Sequence, residues 1–275
     1  MDRLESLRHI AAQASRGELA FPTSVAVATR IRVALEDPDV HLSAATRLIQ
    51  AEPLLAARAV AMANSAAYRR NDTDITDIGS AVSRLGLRTI RSLAHALIVR
   101  QLAGAPADRG LQELARSLWE STAHVASLSR LIARRITRLD PETALFAGLV
   151  QDIGSFYLLS RAGEFPSLLD VDRRQEEEEF EVAVQRAVAA TLLLPQAITD
   201  ALEVVWSGYL ALPPVTLGDT VLLAKELAPI RSPFVQLPDK KLLAPIDMEV
   251  GDEMLTGILQ ESSQEVASVQ AALTF

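Results

Sequence analysis

Across 275 residues the apolar positions recur on a helical period and nowhere on a strand alternation of useful length, which excludes most fold classes. Leu55, Ala59 and Met62 fall at i, i+4, i+7; Ile90, Leu93 and Leu97 at i, i+3, i+7; Leu118, Val125, Leu128, Ile132 and Ile136 share one long stripe. Residues three, four and seven apart lie on one helix face, so each set reads as a stripe turned to a core. The pattern predicts an all-α, multi-helical fold of roughly a dozen helices. Asp37-Pro38, Glu52-Pro53, Asp140-Pro141, Leu194-Pro195 and Pro213-Pro214 punctuate it where helices should start or stop.

One stretch, GAPADRG at residues 104–110, is small and polar between two long helical runs. It predicts a division into two packed helical lobes, an N-terminal one over residues 1–105 and a C-terminal one over 106–275. A second irregular region, residues 229–247, carries Pro233, Pro238 and Pro245 and is expected as a surface loop before a last helix from about Asp252. No internal repeat has a fixed period.

Composition narrows the chemistry. Without cysteine there is no disulfide, thiolate metal site or cysteine nucleophile, and a reducing compartment fits. A formal charge of −8 argues against nucleic acid held mainly through phosphates and makes other proteins the expected partners. The N-terminal stretch MDRLESLRHIAAQASRG is charged and lacks an apolar core, so no signal peptide is expected. No apolar run comes up to the roughly 18 residues of a membrane span, and the expected location is the cytoplasm. The acids Glu176, Glu177, Glu178 and Glu179 read as a solvated helix start complementing the helix dipole. Neither a GxxxxGK phosphate loop nor a GxSxG nucleophile elbow is present.

The stretch LVQDIGSF, Leu149 to Phe156, is the most pointed chemical signal. On a helix starting after Pro141, Leu145, Leu149, Asp152 and Phe156 share the apolar stripe, so Asp152 faces the core. A buried carboxylate without a partner costs several kcal/mol. A metal, a hydroxyl, a backbone N–H or an arginine has to satisfy it; a hydrogen bond from a neighbouring hydroxyl or amide, such as Ser121 or Thr122 on the preceding long helix, is expected.

Several phrases, taken in order, resemble a known family. Phe21-Pro22-Thr23, then Glu52-Pro53 with Glu where Asp is usual, are followed by Asn64-Ser65-Ala66-Ala67-Tyr68 and by IGSAVSRLG, ending in Leu85-Gly86. Next come Leu118-Trp119, AGLVQDIG at residues 147–154, and Leu194-Pro195. Over residues 21 to 210 this order is similar to HDOD domains, bacterial proteins related to the HD superfamily of metal-dependent phosphohydrolases. The resemblance implies an HD-like helical lobe at the C-terminal end. It implies as well a metal site built from a first His, a His-Asp pair and later acidic or His ligands. Those positions fall here on Ser121, on Gln151 and Asp152, and on Val205 and Trp206, so only Asp152 keeps a ligand. The Lys that often follows Asp-x-Gly is Ser155. Glutamine, serine, valine and tryptophan make a poor divalent-cation site, which predicts no enzyme activity, no metal and no cofactor.

What remains is a regulator acting by protein contact. The resemblance implies links to cyclic-di-nucleotide, motility or stress signalling, through other signalling proteins met in trans; self-association stays open. Arg69, Arg70, Asp72 and Asp74, in a polar loop after the Asn64-Ser65-Tyr68 motif, are the expected partner surface, together with the cleft near residues 104–110. Asn64 and Ser65 should tie the helix end to that loop. Two rivals stay in view. One is a phosphohydrolase with an irregular site drawn from His124, Asp152, Glu203 or Asp200. The other is a helix-turn-helix reader of DNA with its turn at Gly86 and Arg88 and Arg91 reaching the duplex.

Overall fold

A computed structural model describes residues 1–19, 25–37, 39–50, 52–69, 74–104, 108–170, 175–192, 194–234, 257, 259–260 and 263–273. The phrase Phe21-Pro22-Thr23, Arg70 and Asp72, most of the 229–247 loop and the expected helix start at Asp252 lie outside them. Among the described residues the protein is all helix, with no strand. The N-terminal part comprises α1 (Arg3–Ser15), α2 (Val25–Glu36), α3 (Leu42–Gln50), α4 (Pro53–Asn64) and α5 (Ile78–Leu102). The C-terminal part comprises α6 (Arg109–Ile132), a π turn (Ala133–Thr137), α7 (Pro141–Val150), α8 (Ile153–Arg161), α9 (Gln175–Thr191), α10 (Gln196–Ser207), α11 (Leu217–Leu227) and α12 (Ser263–Leu273).

The helix starts follow from side-chain chemistry. Glu52, Asp77, Asp108, Asp140 and Thr216 each accept a backbone N–H of the first turn, satisfying donors that have no partner inside the helix. Pro53 and Pro141 occupy first-turn positions, where a missing N–H costs nothing. Within α5, Gly86 has φ +77° and ψ 161°, a region essentially closed to other residues. It bends the chain between Leu85 and Leu87 so that Ile90, Leu93, Leu97 and Ile98 all point into the core.

The N-terminal helices α2, α3 and α4 pack on α5, while α6, α7 and α11 form the centre of the C-terminal part. One continuous core joins them, running from Leu7 and Ile10 through Ile90 and Ile98 to Phe156, Tyr157 and Leu223. Helix α1 lies against α9, with Arg3 paired to Glu177 and Glu181 and donating to the Leu168 carbonyl. Glu177 is only 3% exposed, which corrects the expectation of a fully solvated acidic run. Burial opposes the charge on Arg3, but Glu181 and Glu177 outweigh it and raise its pKa. At the other end, α12 closes over α4 and α6: Trp119 Nε1 donates to the Leu273 carbonyl (3.0 Å) and the Ala66 N–H donates to Ser268 Oγ (2.8 Å).

The LVQDIGSF stretch is not one helix. α7 ends at Val150 and α8 begins at Ile153, with Asp152 at φ −102°, ψ 21° between them. Taken across that break, Pro141–Arg161 is long and apolar enough to cross a membrane, which corrects the expectation that no segment is. Its most apolar window is 83% buried inside the fold, the environment of a core helix.

Candidate functional site

The break between α7 and α8 sets Gln151 and Asp152 against α6 and α11. Gly148 makes this approach possible: a Cβ there would stand 2.6 Å from the Ala126 Cα of α6, closer than packed atoms come. The result is a small polar pocket of about 30 Å³, room for a water or two, lined by Ser121, Val125, Gln151, Asp152, Lys225, Glu226, Arg231 and Ser232. Asp152 is 7% exposed. Its Oδ2 accepts the Gln151 side-chain amide at 2.6 Å, and its Oδ1 lies 3.7 Å from Lys225 Nζ on α11. Glu226 pairs with Arg231 at 3.7 Å.

Asp152 is thus held by an amide, one of the two expected donor types, but the donor is Gln151 and not Ser121 or Thr122, and an ammonium faces it as well. Thr122 Oγ1 donates to the Leu118 carbonyl of its own helix, and Ser121 lines the pocket without bonding Asp152. Gln151 turns its N–H₂ to Asp152, which leaves its Oε1 buried with no partner. Val205 is buried in the core and Trp206 lines a different groove.

The irregular ligand set does not converge either. His124 Nε2 lies 2.7 Å from Gln270 Nε2 of α12, Glu203 is held by Arg186, and Asp200 accepts from Gln196. Among the described residues no three His, Asp or Glu side chains could hold a metal together. The two arginines of the helix-turn-helix reading are engaged as well. Arg91 Nε donates to the Leu35 carbonyl at 2.6 Å, and Arg88 pairs with Asp140 at 2.7 Å. The segment after Gly86 is a core helix, buried at Ile90, Ala94 and Ile98, and has no face free for a groove.

The Asn64-Ser65-Tyr68 phrase forms a second polar site at the junction of the two parts. Asn64 Nδ2 donates to the Ile75 carbonyl (2.7 Å) and its Oδ1 accepts the Ile75 N–H (2.8 Å), closing the base of the loop between them. Ser65 Oγ donates back to the Met62 carbonyl at the end of α4. Above them the Tyr68 hydroxyl donates to Glu142 of α7, which accepts also from Thr89 of α5 and Arg130 of α6. The Arg130 guanidinium lies 4.6 Å over the Tyr68 ring and reaches Glu265 of α12 at 2.6 Å. Burial, followed by the charge of Glu142, raises the Tyr68 pKa and keeps the phenol protonated. Burial works against Arg130, but Tyr68 and Glu142 prevail and hold it charged. Five segments meet on this one carboxylate-guanidinium pair. On the loop itself, Arg69 pairs with Asp74 at 2.5 Å in solvent.

Over residues 21–197 the sequence matches the family model of the HDOD domain. The chain belongs to the HDOD family. Solved structures share the fold. A protein from Shewanella amazonensis SB2B, provisionally described as a metal-dependent phosphohydrolase, aligns with TM-score 0.72 and 22% identity over 98% of each chain. An HDOD domain protein of unknown function from Geobacter sulfurreducens aligns with TM-score 0.62 and 23% identity over 98% of this chain and 97% of its own. A protein from Marinobacter aquaeolei VT8, provisionally described as a signal transduction protein, aligns with TM-score 0.63 and 16% identity, covering all of this chain and 67% of its own. At these identities the likeness is one of fold. No curated protein matches the chain.

Sequence reading missed Lys225, Glu226 and Arg231 at the pocket and Glu142, Arg130 and Glu265 at the junction. Lys225 had a signal, a lone cation ending the apolar run VLLA at residues 221–224. Glu142, just after Pro141, looked like any acid in a first helical turn.

Proposed function

We propose that this HDOD protein is a non-catalytic signalling module of a bacterial cytoplasm that acts by binding another protein. The observation that carries the reading is Asp152. At the one position where the family resemblance leaves a metal ligand, the carboxylate is already held by the Gln151 amide and faced by the Lys225 ammonium.

A divalent cation does not fit this donor set. Mg²⁺ or Ca²⁺ needs six or more oxygens, and a catalytic transition metal is favoured by imidazole. The pocket offers two carboxylates, one amide oxygen and one or two hydroxyls, and it carries two cations of its own. The formal charges of its described lining cancel, Asp152 and Glu226 against Lys225 and Arg231, so that lining offers a dication no net negative charge. The name phosphohydrolase given to one relative therefore does not transfer to this chain; the signal-transduction description of another agrees with a binding role.

The partner surface we infer is the loop that starts at Arg69, together with the groove at the start of α6. The Asn64 bracket fixes the loop at its base and presents the Arg69–Asp74 pair to solvent. The groove, about 490 Å³, runs along Gly110, Leu111, Leu114, Pro166 and Leu169. The experiment is co-purification from the native host with wild-type protein and with an Arg69→Glu/Arg70→Glu variant. A partner lost from the variant supports the reading; an identical set of partners counts against this surface. Elemental analysis of protein purified without an affinity tag should find metal well below one ion per chain, and stoichiometric transition metal would overturn the non-catalytic assignment.

A further inference from the structure

Helices α9 and α10 enclose an open groove of about 540 Å³, far from the loop at Arg69 in sequence and unlike the Asp152 pocket in size. Glu178, Glu179, Val182 and Arg186 line one wall, and Glu203, Trp206 and Ser207 the other. Arg186 and Glu203 bridge the walls with two hydrogen bonds of 2.6 Å, so one acid is neutralised. Glu178 and Glu179 are exposed, and no described residue pairs with either. Their neighbours Glu177 and Glu181 face inward to Arg3, so among the described residues this turn is charge-paired on its inner side only.

The α10 wall carries one aromatic ring. Trp206 is half-buried in its wall, with an indole N–H that meets no acceptor. After the left-handed cap at Gly208 come Tyr209, 74% exposed, and Val215, 62% exposed, two of the few large apolar side chains left in solvent. The loop carrying them is tied down at both ends, because the Ala211 and Val215 N–H groups both donate to the Asp219 carboxylate. A partly exposed tryptophan on one wall, facing carboxylates that have no partner among the described residues, suits a cationic ligand. Tryptophan and tyrosine faces attract guanidinium groups, and adjacent acids add charge pairing.

We propose that the α9–α10 groove is a docking site for a basic segment of a protein partner. An arginine of that segment would lie over Trp206 and pair with Glu178 and Glu179. Phosphate-bearing partners are disfavoured, since the groove has three carboxylates against one guanidinium and the chain as a whole carries −8. The inference rests on the reading that the protein acts through protein contacts, but on a different surface from the Arg69 loop.

The test uses the full chain labelled with ¹⁵N. The two indole N–H resonances, from Trp119 and Trp206, are assigned with Trp206→Phe. The probe is a capped peptide alternating arginine and leucine, with a citrulline version of the same size and no charge as control. The expected result is a saturable shift of the Trp206 indole while Trp119, buried and bonded to Leu273, stays in place. Affinity should fall about five- to tenfold in Glu178→Gln/Glu179→Gln, and the citrulline peptide should not bind. A Trp206 resonance unmoved by the arginine peptide, moved equally by citrulline, or unaffected by the Gln substitutions overturns the inference. So does a Trp206 resonance that moves with protein concentration alone, since the occupant would then be a second copy. None of these failures touches the partner set of the Arg69→Glu/Arg70→Glu variant, which tests protein binding separately.

Discussion

Replacing Lys225 by Met removes the only cation within 4 Å of Asp152 among the described residues and keeps the length of the side chain. At 3.7 Å and an effective dielectric of about 20, the attraction between the two charges is about 4.5 kcal/mol before desolvation is counted. Breaking a fully buried pair by deleting one partner costs about 3–5 kcal/mol. Here the Lys225 side chain is 22% exposed and Asp152 keeps the Gln151 amide, so water and that hydrogen bond absorb part of the loss. The expected destabilisation is about 1–3 kcal/mol. Urea unfolding at pH 7 measures it, and the double-mutant cycle with Asp152→Asn isolates its origin. If the cost is an uncompensated carboxylate, Asp152→Asn in the Lys225→Met background restores much of it, with a coupling energy of about 1–2 kcal/mol. Effects that add to within about 0.3 kcal/mol would refute the reasoning, because the two side chains would then be energetically independent.

Further outcomes are expected from single substitutions and from pH. Glu142→Ala leaves Arg130 charged and the Tyr68 hydroxyl without its acceptor, and should destabilise by about 2–4 kcal/mol in the same assay, against about 1 kcal/mol for Tyr68→Phe. Gly86→Ala should cost about 1–3 kcal/mol through its positive φ, although nothing lies near the added methyl. Gly163→Ala, with ordinary φ and the same open space, should cost nothing measurable. His95 gives a pH signature. Burial, with Arg32 contributing, lowers its pKa to about 4, and its Nε2 has no partner. Between about pH 6.5 and 4 the unfolded chain therefore binds a proton that the folded chain does not. The His95 contribution is intact above pH 6.5 and falls away by on the order of 3 kcal/mol as pH drops to 4. Urea midpoints at pH 7 and 4.5 should separate less in His95→Gln than in the wild type.

The elements legible in the sequence are those fixed by local chemistry. Helical periodicity, the Asp and Glu caps, the proline starts, the bend at Gly86 and the Asn64 closure all depend on residues within a turn or a loop of one another. The helix break at Asp152 was hidden because the apolar period runs across it. Asp152 could be read as a buried acid in need of a partner, but not paired. Its cation comes from α11, brought alongside by packing rather than by sequence. Glu177 escaped for the same reason: its partner, Arg3, stands at the other end of the chain. Glu142 and Arg130 each look like surface residues of an amphipathic helix until α5, α6, α7 and α12 converge on them. Single residues that join distant helices leave no periodic trace.

The most direct test of the non-catalytic assignment is turnover of cyclic dinucleotides and pppGpp by untagged protein, with Mg²⁺, Mn²⁺ or Fe²⁺ supplied in excess and Asp152→Ala as the comparison. The account predicts no hydrolysis above the buffer blank and no difference between wild type and variant. Hydrolysis by the wild type that Asp152→Ala abolishes would contradict it, because Asp152 would then serve a metal and not Lys225.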